Sequence, residues 1–451
     1  MWSLIVGGPC QTEASTADNS DEEEDSEVEH VFKPLVWGDE GQWKLQFGGD
    51  QRLRFERWDN LDLNKKNADN DDLGFLRTRL NIDLSYRSLW RVFFEVADMR
   101  QIGARTDVLQ EAYWHLHQLF VEAKLREGSP WSITVGRQAM PLGEERLVSY
   151  GDWYNRLYLF DGVRLRYQTD EIDANLFLTQ PLIYWKRRGD GITTGRPHRF
   201  DDVYFYGIYV TLHRWKPHEL DLYALGLSDR NGHRTFPWEV TAENGHFGTS
   251  ARTTLGSRLR GPLLERLGNG KLEYGLEAAL QRGRVADDPV RAYLLHADIG
   301  YTWNKPWKPQ LKLVGNIASG DKNPTDGKVG RFDPLFQTPY GMLDVVQQNL
   351  REVALLFSIA PTEKLSLQAE FHRYWLDQER DAWSWGPGLH DPAGRSGRAL
   401  GDELALYATY ELTKRVSLEA GVARFLPRGF ARRQGSNDAG NFFYVQYKLT
   451  F

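Results

Sequence analysis

A single cysteine, Cys10, stands in 451 residues. It excludes an intrachain disulfide framework and a thiolate metal cluster, and no C-x-x-C-H occurs for covalent haem. Long apolar runs are missing as well. No stretch reaches the roughly 18 uninterrupted apolar residues of a membrane helix, and mean hydropathy is −0.55, so a helical membrane protein is excluded. Catalytic signatures are also absent. The eleven histidines form no H-E-x-x-H, and Ser149, Ser319 and Ser366 sit in no G-x-S-x-G elbow, so hydrolase chemistry has no support. No enzyme activity, no cofactor and no nucleic-acid partner are expected.

Aromatic residues are plentiful: 13% of the chain, with 16 Trp, 20 Tyr and 22 Phe. Such a load suits the aromatic girdles of an outer-membrane barrel or, equally, a large aromatic-rich β-sandwich or carbohydrate-binding protein. The net charge of −6 is unevenly spread. Residues 1–32 hold nine acids and no Lys or Arg, which leaves +3 for residues 33–451. The run from Asp18 to Glu29 is of low complexity and reads as disordered. Export is expected of a barrel, yet M-W-S-L-I-V-G-G-P-C has no basic region before its short apolar stretch. L-I-V-G-G-P-C loosely resembles a lipoprotein cleavage site, but Pro9 before Cys10 is unfavourable. A start placed downstream of the true one is the preferred reading, and residues 1–41 are expected to be an acidic segment outside the folded domain, residues 42–451.

Period-two alternation recurs from residue 43 onward. In L-R-T-R-L-N-I-D-L-S-Y, residues 76–86, Leu76, Thr78, Leu80, Ile82, Leu84 and Tyr86 share one face. Arg77, Arg79, Asn81, Asp83 and Ser85 share the other. The closing run, 441–451, alternates Phe443, Val445, Tyr447, Leu449 and Phe451 against Tyr444, Gln446, Lys448 and Thr450, and ends on an aromatic residue. About eighteen such runs lie between 43–57 and 441–451. Their connections alternate in length. Links near 87–88, 127–130, 169–171, 215–217, 266–270, 304–307, 361–364 and 414 are short, whereas most intervening links, such as 58–72, 182–202, 229–250, 320–348 and 377–401, are long. A soluble sandwich has no reason to sort its loops this way. A transmembrane antiparallel β-barrel has: short periplasmic turns, long extracellular loops, and both chain ends on the periplasmic side.

The motifs resemble the alginate-export family of outer-membrane proteins. The resemblance rests on G-R-Q-A-M-P-L-G-E-E-R-L (136–147), F-D-G-V-R-L-R-Y (160–167), A-S-G-D-K-N-P-T-D-G-K-V-G-R-F-D-P-L-F (318–336), D-V-V-Q-Q-N-L (344–350), L-G-D-E-L-A-L-Y-A-T-Y (400–410) and V-S-L-E-A-G (416–421). It covers about residue 42 to the end. It implies a monomeric eighteen-stranded barrel in the bacterial outer membrane, with a basic lumen that passes a polyuronate chain. It implies no catalysis. Ala139 departs from the pattern, since a longer polar or basic residue is expected there in an alginate exporter.

Parity places the charges. An Arg facing lipid at mid-membrane costs roughly 2–4 kcal/mol, so Arg52, Arg54, Arg77, Arg79, Arg91, Arg164, Arg166, Arg252, Arg258 and Arg260 are expected to face the lumen. A planar guanidinium recognises carboxylates bidentately and so suits a polyanion path. Inward acids are also expected: Glu95, Glu122, Asp173, Asp221, Glu273, Glu277, Glu370, Glu403 and Glu419. Two readings therefore stand side by side, a carboxylate-selective path and structural pairing across the wall. Residues 320–348 are expected to gate the barrel by folding into it or over its mouth. Asp321, Asn323 and Asp326 have the oxygens for a calcium ion, but D-K-N-P-T-D-G reads better as a turn. His115 and His117 share a strand face with no third ligand in view. The expected function is an outer-membrane channel for an anionic polysaccharide or a related anionic solute. The alternatives are a small-solute porin and a sheath around a partner protein. Expected partners are membrane lipid, the anionic cargo and, through the closing strand, the barrel assembly machinery.

Overall fold

A computed structural model describes residues 32–60, 63, 70–103, 112–155, 157–183, 198–199, 202–230, 249–337, 346–383 and 389–451. The amino-terminal acidic run lies outside them. The expected β-barrel is observed: eighteen antiparallel strands close on themselves. In chain order the first strands are β1 (Leu35–Trp37), β2 (Trp43–Asp59), β3 (Asn70–Tyr86), β4 (Trp90–Ile102), β5 (Ala112–Lys124), β6 (Trp131–Gln138), β7 (Phe160–Gln168), β8 (Ile172–Ile183), β9 (His198–Arg199) and β10 (Val203–Leu212). They are followed by β11 (Glu219–Asp229), β12 (Ser250–Leu264), β13 (Gly270–Val285), β14 (Asp288–Trp303), β15 (Gln310–Ala318) and β16 (Leu350–Ile359). The last are β17 (Leu365–Leu376), β18 (Ala399–Thr413), β19 (Val416–Pro427), the helical turn α1 (Gly429–Gln434) and β20 (Gly440–Thr450). β1 and β9 are short additions, and the others form the wall.

Each wall strand pairs with its neighbour in sequence, β8 passes to β10, and β20 closes on β2 in the register Arg52↔Lys448. Closure satisfies the backbone groups that an open edge would expose to hydrocarbon. Phe451 completes the seam: its N–H donates to Gly49 O (3.0 Å) and Gly49 N–H donates to its carbonyl (2.8 Å). A Cβ at Gly49 would collide with the Arg79 carbonyl oxygen, so only glycine fits this close approach.

Alternation fixes which side chains meet lipid. Leu53, Phe55, Leu80, Ile82, Leu119, Val121, Val135, Leu176 and Leu178 point outward and are exposed, as an apolar membrane band requires. Next to the short turns lies an aromatic girdle. Trp43 packs on Trp37 (5.7 Å), Tyr86 (4.8 Å) and Trp90 (5.1 Å); Trp131 packs on Tyr167 (4.7 Å) and Tyr301 on Trp303 (4.8 Å). The core sits inside the barrel. Phe160, Phe177, Phe205, Tyr209, Tyr223 and Leu225 from the wall enclose Met140, Leu147 and Val148 from one long connection, and Phe332, Leu335 and Phe336 from another.

Candidate functional site

Among the described residues several long connections fold into the barrel interior, including part of 377–398, whose Trp383 packs on Phe425 and whose Asp381 holds Arg331; two others build the site. Residues 139–159, between β6 and β7, cross the interior. Residues 320–337 lie alongside, tied by Ser149 N–H to Phe336 O (3.1 Å) and Phe336 N–H to Leu147 O (2.9 Å). The second is the connection expected to enter or cover the barrel; its residues 338–345 lie outside the described residues. The first was not singled out from the sequence, although Trp153 and Asp152 in a 21-residue link are the kind of residues that seek a buried partner.

The four arginines of β2 and β3 form a cradle that holds residues 152–155. Arg52, Arg54, Arg77 and Arg79 all face inward and are buried. Arg77 Nη2 donates to Asp152 Oδ1 at 2.7 Å. Arg52 donates to the carbonyls of Asp152 and Tyr154, the latter at 2.9 Å. Arg54 Nη1 donates to the Trp153 carbonyl (2.5 Å), and its guanidinium lies 4.2 Å from the centroid of the Trp153 ring. Arg79 Nη1 donates to Tyr150 Oη (2.6 Å) and its Nε to Asp50 Oδ2 (2.5 Å). Arg54 Nε also pairs with Glu56 (2.7 Å), and Lys448 of β20 approaches Asp152 at 3.8 Å. Burial opposes ionisation of Asp152, but Arg77, Arg79, Lys448 and Arg52 outweigh it and hold the carboxyl well below the usual carboxylate range.

The other end of the crossing connection is pinned to the opposite wall. Glu144 receives Arg258 (3.0 Å) and Arg260 (3.2 Å), and Arg146 Nε donates to Glu277 Oε2 (2.9 Å). Burial again works against the charge on Glu144, and Arg258, Arg146, Arg260 and Lys312 overcome it, so its pKa is lowered. Arg258 also binds Asp221 (2.6 Å) and Glu219 (2.7 Å). Gly143 has φ +60 and packs on Tyr209, where a Cβ would strike the phenol oxygen. Arg252 is taken by Asp333, whose carbonyl also accepts from Gln281 Nε2 (2.7 Å).

The remaining arginines line the periplasmic half. Arg91 pairs with Asp83 (2.6 Å) and lies over the stacked rings of Phe93 and Phe120, which are 5.2 Å apart. Arg166 pairs with Asp173 (2.5 Å). Arg164, on the same lumen-facing row, makes no ion pair among the described residues, and its Nε has no hydrogen-bond partner there. Far round the wall, His372 bridges Glu352 (2.6 Å) and Glu370 (2.9 Å), while Glu403 accepts from Tyr374 (3.1 Å). Glu95 binds His117 (2.6 Å), Glu273 binds Lys271 (2.8 Å), and Glu419 accepts from Gln446 (3.0 Å). Glu122 sits across from Arg91 in register. The rings of His115 and His117 are 5.7 Å apart. The carboxylates that hold the arginines are largely ones not singled out from the sequence: Asp50, Glu56, Glu144, Asp152, Glu219 and Asp333.

Asp321, Asn323 and Asp326 are engaged in turn hydrogen bonds. Asn323 N–H donates to Asp321 Oδ1 (3.0 Å) and Lys328 N–H to Asp326 Oδ1 (3.1 Å). Among the described residues there is no group of three His, Cys, Asp or Glu arranged for a metal. Ala139 is partly buried and packs against a small apolar cluster that includes Ala97, Met99 and Ala112.

A family model described as alginate export matches residues 43–445. The chain belongs to the alginate-export family. This alginate-export protein is similar in fold to solved porins. Pseudomonas aeruginosa OpdK, solved with vanillate, is 9% identical with TM-score 0.60, covering 90% of this chain and 99% of that one. P. aeruginosa OprD is 12% identical with TM-score 0.57, covering 90% and 94%. Acinetobacter baumannii OccAB1 is 11% identical with TM-score 0.59, covering 90% and 96%. Among curated proteins none matches the chain. Family and fold together make this an outer-membrane channel, a transport protein in contact with lipid and with a transported solute.

Proposed function

We propose that this channel passes an anionic, carboxylate-bearing polysaccharide of the alginate type, and that residues 139–159 form its internal gate. One observation carries the reading: the Asp152 carboxylate and the carbonyl oxygens of residues 152–154 occupy donors of Arg52, Arg54 and Arg77, with Arg79 3.8 Å from the same carboxylate. A uronate chain offers the same acceptors, carboxylates spaced among neutral oxygens. Withdrawal of the connection frees an arginine cradle where the chain would pass. Its return competes with the cargo and keeps binding weak enough for release. Arg258 and Arg260 lose Glu144 in the same withdrawal and keep Glu219 on the wall, while Arg252 is held by Asp333 of the neighbouring connection. Arg164, Arg91 and Arg166 are the first station from the periplasm. The channel works as a monomer, its closing strand is read by the barrel assembly machinery, and residues 1–41 form an acidic segment ahead of the barrel, residues 42–451, except that Leu35–Trp37 pair with β2.

A second reading has its own support. OpdK was solved with vanillate, an aromatic carboxylate. The Phe93–Phe120 stack beneath Arg91, with Arg164 on the same row, offers that chemistry, a ring platform beside cations. Single-channel conductance in a planar bilayer, titrated with polymannuronate, vanillate and a neutral glucan, separates the two. Block by polymannuronate and by neither of the others is the expected result. Block by vanillate alone would replace the polysaccharide reading with a small-solute porin.

A further inference from the structure

Arg282 and Arg291 are directly opposite one another in the β13–β14 register. Both lie on the outward row of their strands, alternating with the buried Gln281, Val290 and Ala292, and both are exposed. Among the described residues neither has a carboxylate partner, and the side-chain hydrogen bond of Arg282 goes to the Gln281 carbonyl (2.9 Å). Two like charges facing each other across a ladder destabilise the pair unless an anion lies between them. A third cation, Arg284, follows on the same row, with Asp287 at 4.0 Å.

Their position along the strands says which anion. The link 286–287 is on the long-loop, extracellular side, so the pair stands at the outer rim of the barrel. One step toward mid-membrane on the same face, Leu280 lies opposite Tyr293, and beyond them begins an outward-facing apolar groove of about 900 Å³. Ala278, Ala297 and Gly315 line it beside Leu276, Leu295 and Ile317, with Ala278 opposite Leu295 and Ala297 opposite both Leu276 and Gly315. Small residues set among large ones on this face leave room for hydrocarbon chains. Two further arginines, Arg351 and Arg398, stand at its edge.

We infer that this face binds a phosphorylated lipid of the outer leaflet, its phosphate between Arg282 and Arg291 and its acyl chains in the groove. The charge complementarity is that of guanidinium for phosphate, and the apolar groove distinguishes a lipid from a free anion. The site is on the outside of the wall and is independent of what passes through the lumen.

Native mass spectrometry of the detergent-purified full chain tests it with three probes: diphosphoryl lipid A, the same lipid without phosphates, and inorganic phosphate. Retention of the diphosphoryl lipid is expected, with an apparent affinity about thirtyfold lower in R282Q/R291Q, as two arginines near a membrane surface imply. Equal retention by the double variant, or equal retention of the dephosphorylated lipid, overturns the inference. Inorganic phosphate that displaces the lipid completely at millimolar concentration also overturns it, in favour of a simple anion site. A second measurement guards against a general effect of the substitutions. In lipid-free micelles R282Q relieves the repulsion and raises Tm, whereas with diphosphoryl lipid A it lowers Tm relative to the parent. A Tm that moves the same way in both conditions contradicts the site.

Discussion

Asp152→Asn removes the charge that seats the crossing connection on the arginine cradle while keeping the side chain's shape. In the structure Asp152 accepts from Arg77 Nη2 at 2.7 Å, with Arg79 and Lys448 each at 3.8 Å. Arg77 is fully buried and the Asp152 side chain is 16% exposed, so solvent screens the pair weakly. A hydrogen bond to a charged partner in such a setting contributes about 1.5–3 kcal/mol. At 1.4 kcal/mol per factor of ten, the substitution should shift the seated connection toward its withdrawn position by about 10- to 100-fold. Arg77 and Arg79 keep Asp50 as a partner, at 3.7 Å for Arg77, so the wall itself should remain folded. Two readouts follow in single-channel recordings. Open events become more frequent, and permeability shifts further toward anions, because the freed guanidiniums are no longer neutralised. A double-mutant cycle with Arg77→Gln then measures a coupling energy of about 1.5 kcal/mol or more in the gating equilibrium. If Asp152→Asn leaves both open probability and anion preference within a factor of two of the parent, the connection is a fixed part of the wall and the gating argument fails.

Two further outcomes rest on the same geometry. The carboxyls of Asp152 and Glu144 are both held below their ordinary values. Their contribution to seating is therefore complete above the pKa of the free carboxyls, near 4, and is lost as pH falls toward the depressed values. Open probability should stay flat from pH 8 to pH 5 and rise only below about pH 4; a midpoint between pH 5 and 7 would assign the gate to some other group. Arg164→Gln removes a predicted lumen arginine that makes no ion pair among the described residues and whose Nε has no hydrogen-bond partner, so folding and open-channel conductance should be nearly unchanged. The concentration of polymannuronate needed for block should rise about tenfold, the worth of one charge-assisted contact; an unchanged blocking concentration would remove Arg164 from the path.

Much of the barrel was legible because its information is local. The side-chain period of two, as in Leu76 to Tyr86, tells each strand which face meets lipid. The cost of an arginine in hydrocarbon then turned Arg52, Arg54, Arg77, Arg79, Arg252 and Arg258 inward, where the structure has them. Sorting of short and long links gave the barrel its two ends, and the closing run to Phe451 gave the seam. What each arginine binds was not legible. The choice between a free carboxylate path and structural pairing depended on partners such as Asp152, about a hundred positions from Arg52, and Asp333, 81 from Arg252. These acids sit in connections with no periodicity, so nothing in their neighbours tells which way they point. The closed wall fixes the distance between β2–β3 and β11–β13, and the connection 139–159 reaches both, through Asp152 to Arg77 and Glu144 to Arg258. The sequence by itself determined that a barrel forms and which side chains line it. The tertiary structure decided that a connection crosses the interior and occupies the cations, because that outcome depends on contacts between segments that meet only when the wall has closed.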